Sequence, residues 1–333
     1  MMTHSNECIL VAGGAGFIGG HVVRLLSRQG FQVVIVDNFS NANRDLLPEG
    51  IDVVDGSKGD RELILRTLEE YKPIGIVDLG GYADIWEKKF TPTDFYENNV
   101  IQTTRFVETL LAAGVKAYVF SSSAMVYGAT TSNPIPESHP RAPLTIYGRS
   151  IHACEDIVCD LFEGTDERYA ILRYFSVAGA MNDLSFGQTM PNYYHIITAS
   201  LNVAFGVVEK VNAYGSDFDT PDGTGITDYI HVQDLADIHM KALTRLIEGG
   251  DSDIINCGYG HGHSVLEITN AVSQASGKEI PTVFAERRGN FEGVSVVDNS
   301  KLINEWDWQP KFDDLNTIVK HAYGWRKQIT EST

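Results

Sequence analysis

Short, continuously apolar runs alternate with amphipathic stretches through the first half of the chain. Residues 8–12 (CILVA) are apolar throughout and lead into a Gly-rich stretch, 13–20. A helical pattern then runs through Leu25 and Leu26 to Gly30, and a second apolar run, 33–36, ends at Asp37. Strand, tight turn, helix and strand within about 30 residues is the spacing of a βαβ unit. The alternation continues with strands expected at 51–54, 74–79, 117–121 and 169–174, and helices at 61–71, 95–113 and 146–163. Strands this short and apolar, separated by amphipathic helices, predict a parallel sheet covered on both faces.

Beyond Phe175 the regularity fades. Residues 176–227 hold loops rich in Gly, Asp, Asn and Pro around one expected helix, 192–205, and the alternation returns briefly at 228–257. From 259 onward the segments are short, with Trp306, Trp308 and Trp325 near the end. The expected class is therefore α/β. A Rossmann-like doubly wound parallel sheet occupies 1–175 with a return segment at 228–258, and 176–227 with 259–333 form a smaller C-terminal substrate domain.

Charge narrows the partners. Lys and Arg number 26 against 44 Asp and Glu, a formal −18. A field of that sign repels nucleic acid, and any phosphate-bearing ligand must be held by local donors. No apolar run reaches the roughly 18 residues that span a bilayer, so no membrane is expected. The polar residues 1–7 do not read as a secretory signal. Cys8, Cys154, Cys159 and Cys257 form no C-x-x-C pair, which favours reduced thiols, a cytoplasmic protein and no metal.

The candidate chemistry starts at Gly13-Gly14-Ala15-Gly16-Phe17-Ile18-Gly19, which satisfies both G-x-x-G-x-x-G and G-x-G-x-x-G. The motif follows an expected strand, opens a helix, and precedes an acidic residue, Asp37, 18 positions beyond Gly19. That is the setting of a dinucleotide fingerprint. Glycines permit the tight turn, the helix N-terminus offers N–H groups to a pyrophosphate, and Asp37 accepts from ribose hydroxyls while repelling a 2′-phosphate. NAD is expected over NADP.

With these residues the chain resembles the extended short-chain dehydrogenase/reductase family, and within it the UDP-galactose 4-epimerases. The likeness runs through VAGGAGFIGGH (11–21), VDNFSN (36–41), ENNV (97–100), FSSSAMVYG (120–128), YGRS (147–150), LRYFSVAGA (172–180), YGSDFDTPDGTGITDYIHVQDLAD (214–237) and GHSVLEI (262–268). The resemblance implies an NAD-dependent epimerase acting on a nucleotide-linked or modified sugar, in which a hydroxyl is oxidised and the keto-sugar reduced on its other face. Tyr147 matches the family's base and Ser123 its assisting hydroxyl. The resemblance further implies cofactor contacts from Gly13, Gly16, Phe17, Ile18, Gly19, Asp37, Asn38, Ser40, Asn41, Ser57, Lys58, Leu79, Gly80, Gly81, Asn98, Ser121, Tyr147, Tyr174 and Phe175. Substrate contacts are implied for Ser123, Ser176, Tyr193, Tyr214, Thr227, Arg288 and Ser295. It also implies a homodimer, in which helices 95–113 and 146–163 pair into a four-helix bundle. The apolar Val100, Phe106, Val107, Leu110 and Leu111 exceed what one buried face requires.

Several positions depart from that family. Ile151 stands where the Y-x-x-x-K lysine would lower the phenol's pKa and bond the nicotinamide ribose. Ser57 replaces an Asp that contacts adenine, Ala83 a Lys, Ser176 an Asn, and Phe291 an Asp near the uridine ribose. Ser295 replaces the bulky gate of the hexose pocket. Thr227 replaces an Arg that holds the diphosphate, a charge-assisted bond worth about 1.5–3 kcal/mol. Two other readings stand beside the epimerase: a sugar dehydratase or dehydrogenase on the same scaffold, and a non-catalytic NAD-binding protein. Among other candidates, His152 lies about 140° around the helix from Tyr147 and Arg149 is also off that face. Asp78 ends a strand, where a functional and a capping role weigh equally, and Asp84, Lys88 and Lys89 read as a solvated loop. His261 and His263 lack a third ligand in spacing.

Overall fold

The computed structural model describes residues 7–83, 90–130, 132–189, 195–287 and 293–331. Two compact units emerge: residues 1–126, 145–173 and 236–255 form the first, and 127–144, 174–235 and 256–333 the second. Residues 127–144, expected in the sheet domain, group with the second unit. There the Tyr127 hydroxyl donates to Asn256 at 2.7 Å and Ile135 bridges to Val297.

The first unit is built on β1 (Cys8–Ala12), β2 (Gln32–Asp37), β3 (Asp52–Asp55), β4 (Gly75–Asp78), β5 (Ala117–Ser121) and β6 (Arg168–Arg173). They stand in the order β6-β5-β4-β1-β2-β3, and strand Asp253–Asn256 extends the sheet beyond β6. The neighbouring pairs among these six are all parallel. Every residue of β1 is buried, as a central strand covered on both faces demands. The order reverses between β1 and β4, and ligands of such sheets bind outside the strand ends at that reversal.

The helices follow from local signals. Helix α1 (Phe17–Arg28) turns Val22, Val23 and Leu26 inward, and α2 (Arg61–Tyr71) starts where Asp60 accepts the Leu63 N–H. A capping box of Thr91 and Asp94, with Pro92 at the first position, opens α3 (Pro92–Phe95). That helix runs through a π-helical turn, Tyr96–Ile101, into α4 (Gln102–Ala112). Helix α5 (Ile146–Phe162) is capped by the Thr145 hydroxyl, which accepts the Gly148 N–H.

The wider turn changes the expected surface. It inserts an extra residue into the helical repeat and rotates α4 relative to the turns before it. Phe106, Val107 and Leu110 are buried within their own unit. The apolar side chains left on the outer face are Tyr96 and Ile101, with Val100 and Leu111 half-buried.

An ion pair locks α5 to the sheet. Arg173, at the end of β6, donates through Nε and Nη2 to the two Glu155 oxygens at 2.8 and 2.6 Å. The Ser122 hydroxyl also donates to Glu155. The Arg173 and Glu155 side chains are 3% and 0% exposed, so each charge depends on the other.

Among the described residues the second unit holds three small sheets. Strand Ser176–Ala178 pairs with Tyr229–His231, Val211–Tyr214 with Thr282–Ala285, and Ile226–Thr227 lies between His263–Ser264 and Val294–Ser295. Helices Ile196–Ala204, Val265–Ser276 and Leu315–Glu331 pack on one another. The expected helix at 192–205 is thus described from Ile196, its first residues lying outside the described ones.

Truncating one member of a buried ion pair strands the other, which typically costs about 3–5 kcal/mol. Arg173→Met is expected to lower unfolding stability by about that amount in denaturant titration, whereas Arg149→Met, at an exposed position, is expected to change it by less than about 0.5 kcal/mol.

Candidate cofactor cleft and active site

The turn between β1 and α1 brings three backbone segments together with no side chain between them. Gly13 has φ +73°, and a Cβ there would lie 2.7 Å from the Leu79 carbonyl carbon and oxygen and 2.8 Å from the Gly80 nitrogen. A Cβ on Gly19 would lie 2.2 Å from the Gly13 oxygen. Gly16 is the N-cap of α1; no side chain caps the helix and no acid sits in its first turn. The first-turn N–H groups, from Phe17, Ile18 and Gly19, therefore keep their capacity for an anion.

A cleft opens from this turn along the carboxyl ends of β1 to β4. Gly13, Gly16, Asp37, Asn38, Ser40, Asn41, Ser57, Lys58, Leu79, Gly80, Gly81 and Asn98, all named above as candidate cofactor contacts, line it together with Val36, Ala42, Gly56, Tyr82 and Gln102. Asp37 accepts the Ala15 N–H at 3.0 Å and the Phe39 N–H at 2.8 Å. Burial pushes its carboxyl above the ordinary range, and the backbone donors counter that. Its remaining lone pairs have the chemistry to accept from hydroxyls of a ligand in the cleft. Glycine cradle, uncapped helix end and oriented carboxylate fit a dinucleotide carrying free ribose hydroxyls. NAD would thus be held by the α1 turn at its pyrophosphate and by Asp37 at a ribose.

Lys58 and Asp78 acquire roles that neither position reveals alone. The Lys58 ammonium donates to both Asp78 oxygens at 2.8 and 2.7 Å and to Thr103 at 2.9 Å. Asp78 also accepts the Tyr118 hydroxyl and the Gly80 N–H. Asp78 thus ties β4, β5 and the 58 loop together, and Lys58 meets the cleft with its stem, its three donors being engaged. Asn99 holds the other wall, accepting the Tyr82 N–H at 2.8 Å and donating to the Tyr82 carbonyl and the Ser150 hydroxyl at 3.0 Å.

At the N-terminus of α5 the Tyr147 hydroxyl faces Ser123. Burial raises the phenol to about 12, the Ser123 hydroxyl working against that shift. Ile151, one turn on, is 4% exposed and supplies packing where a cation would have lowered it. The Ser122–Glu155–Arg173 cluster fixes the residue beside Ser123 and the helix that carries Tyr147. Ser121 ends β5 without lining the cleft.

In the second unit, Tyr174 is buried, Phe175 follows it, and Ser176 is the register partner of Tyr229. Thr227 is the direct register partner of Ser295 on one side and His263 on the other, so these side chains share one sheet face. Tyr214 pairs in register with Ala285. Tyr193, Arg288, Phe291, Asp84, Lys88 and Lys89 lie outside the described residues. His152 sits 3.5 Å from Asp156 on the outer side of α5, and His261 meets Asp313 at 2.7 Å. No helix among the described residues is long and apolar enough to cross a membrane. Sequence reasoning missed Gln102, although its spacing of four from Asn98 places both on one helix face.

The chain belongs to the NAD dependent epimerase/dehydratase family, matching it over residues 9–258. It is accordingly an NAD-dependent enzyme of the epimerase type. It is 37% identical over 330 residues to a UDP-glucose 4-epimerase of Azospirillum brasilense, covering 99% of this chain and 95% of that one. The crystal structure of a UDP-glucose 4-epimerase from Brucella ovis in complex with NAD is 32% identical, with a TM-score of 0.92 over 96% of this chain and 98% of that one. A UDP-glucose 4-epimerase from Stenotrophomonas maltophila with bound NAD and formylated UDP-arabinopyranose has a TM-score of 0.94 at 31% identity, over 98% of this chain and all of that one.

Asp37 leads to a cofactor prediction. NAD is expected to bind at least tenfold tighter than NADP by calorimetry, and Asp37→Ser to narrow that gap from both sides; equal affinities in the unaltered protein would contradict it.

Proposed function

We propose that this protein epimerises a nucleotide-linked sugar, with Tyr147 as the base and Ser123 orienting the reacting hydroxyl. The observation that carries the reading is the placement of the Tyr147 phenol toward Ser123, on a frame fixed by Ser122, Glu155 and Arg173. NAD, when bound, supplies the acceptor and donor of the hydride. Tyr147 then takes the proton of the sugar hydroxyl as the carbon is oxidised, and gives it back from the same oxygen when the carbon is reduced. The Azospirillum, Brucella and Stenotrophomonas relatives, named as UDP-glucose 4-epimerases, support a UDP-sugar as substrate. Ser295 is a small residue where the resemblance places a bulky gate of the hexose pocket, which favours a sugar bearing an acetamido group. The acidic composition and the cysteines, none of them in a disulfide, support work in the cytoplasm. Incubating the protein with UDP-galactose and with its N-acetyl counterpart should produce the 4-epimer of at least one of them, without net NADH. Net accumulation of NADH would mark a dehydrogenase instead.

The buried phenol sets the pH dependence. With its pKa raised to about 12, Tyr147 is almost wholly protonated at neutral pH, and the basic form grows about tenfold per pH unit below that value. Turnover is expected to climb through the alkaline range. Ile151→Lys places a cation one turn from the phenol and should lower its pKa, raising turnover at pH 7 and shifting the profile toward acid. An unchanged profile would sink Tyr147 as the base.

The outer face of the helix pair supports a homodimer. Tyr96 and Ile101 are exposed on it, with Val100 and Leu111 beside them. Sedimentation at micromolar concentration should show a dimer, and Ile101→Asp should shift it toward monomer.

A further inference from the structure

We infer that Gln102, bonded to Ser57, reads the adenine ring of NAD. The inference rests on the cleft being the dinucleotide site. That cleft runs from Gly13 and Gly16 past Asp37 to Gly56, Ser57 and Gln102. With the pyrophosphate at the α1 N-terminus and the ribose on Asp37, the base lies beyond Asp37, toward β3 and Gln102.

Gln102 is held at both ends. A Cβ on Gly59 would lie 2.8 Å from the Gln102 Cγ and 3.0 Å from its Cβ, so the backbone at 59 rests directly on the stem. At the head, Oε1 accepts the Ser57 hydroxyl at 2.8 Å, and the Ser57 oxygen in turn accepts the Gly59 N–H at 3.0 Å. With the carbonyl toward Ser57, Nε2 keeps its two donors on the other side. The π-helical turn just before it, Tyr96–Ile101, brings Gln102 and Asn98 to the same wall.

The chemistry of such an amide is specific. Adenine presents a 6-amino donor beside a ring-nitrogen acceptor, and a glutamine amide matches both, Nε2 donating to the ring and the second lone pair of Oε1 accepting the amine. A carboxylate could satisfy only the amine. A purine with a 6-oxo group would set an acceptor against Oε1 and bind less well.

The test is calorimetric titration of the full chain with NAD and with nicotinamide hypoxanthine dinucleotide, with folding of each variant checked by thermal melting. The unaltered protein should prefer NAD by about tenfold. Gln102→Glu keeps the stem and the acceptor for Ser57 but turns an oxygen toward the ring nitrogen, and should weaken NAD binding about tenfold or more. Gln102→Ala should weaken it too and erase the preference between the two dinucleotides. NAD affinity within twofold of the original in both variants, or equal affinity of the unaltered protein for the two dinucleotides, would overturn the inference. Failure of the unaltered protein to bind NAD at all would bring down the cofactor reading itself, and this inference with it.

Discussion

Bare backbone meeting bare backbone at the end of β1 is the constraint on which the site depends. The Gly13 N–H donates to the Val36 carbonyl, and Gly13 packs on the Leu79–Gly80 backbone while its carbonyl faces Gly19. Three strand ends and one helix start converge within van der Waals distance, and any Cβ would force them apart. Because β1 lies where the strand order reverses, the gap between its neighbours opens at this point. Helix α1 can therefore aim its unpaired N–H groups into a groove that the sheet itself creates. In a chain of formal charge −18, that local donor set is what makes a phosphate site possible.

Two buried ion pairs carry the rest of the first unit. Lys58–Asp78 joins the loop after β3 to β4 and, through Thr103 and Tyr118, to α4 and β5. Arg173–Glu155 joins β6 to α5 and, through Ser122, to the end of β5. Each charge is desolvated, so each is tolerable only while its partner stays in place. Such pairs add little net stability over an apolar core of the same shape, but they forbid small slips between elements. One fixes the walls of the cleft, the other the pair Ser123 and Tyr147.

That second frame bears on the base proposed at Tyr147, which has Ile151 rather than a cation one turn on. Ser123 is buried and Tyr147 half-buried, which disfavours the phenolate, and Ile151 adds packing but no charge. Geometry and acidity have been separated: the hydroxyls are placed for proton transfer, while the pKa remains that of a buried phenol.

The range of each interaction decided how much of the molecule was legible in the sequence. The alternation of apolar runs and amphipathic stretches marked strands and helices to within a few residues, because side-chain period is a local property. The glycine turn with Asp37 was legible because only glycine fits that turn and only an acceptor suits that strand end. Tyr147 and Ser123 stood out through their resemblance to a known motif. Tertiary structure alone decided the pairings of Lys58 with Asp78, 20 residues apart, Ser57 with Gln102, 45 apart, and Ser122 with Glu155, 33 apart. No local pattern encodes them, since each depends on which strands become neighbours. The π-helical turn, in which Asn98 and Asn99 are buried, was equally hidden. It moved Phe106, Val107 and Leu110 inward and left Tyr96 and Ile101 outside, because helix phase beyond an insertion is set by what the helix packs against.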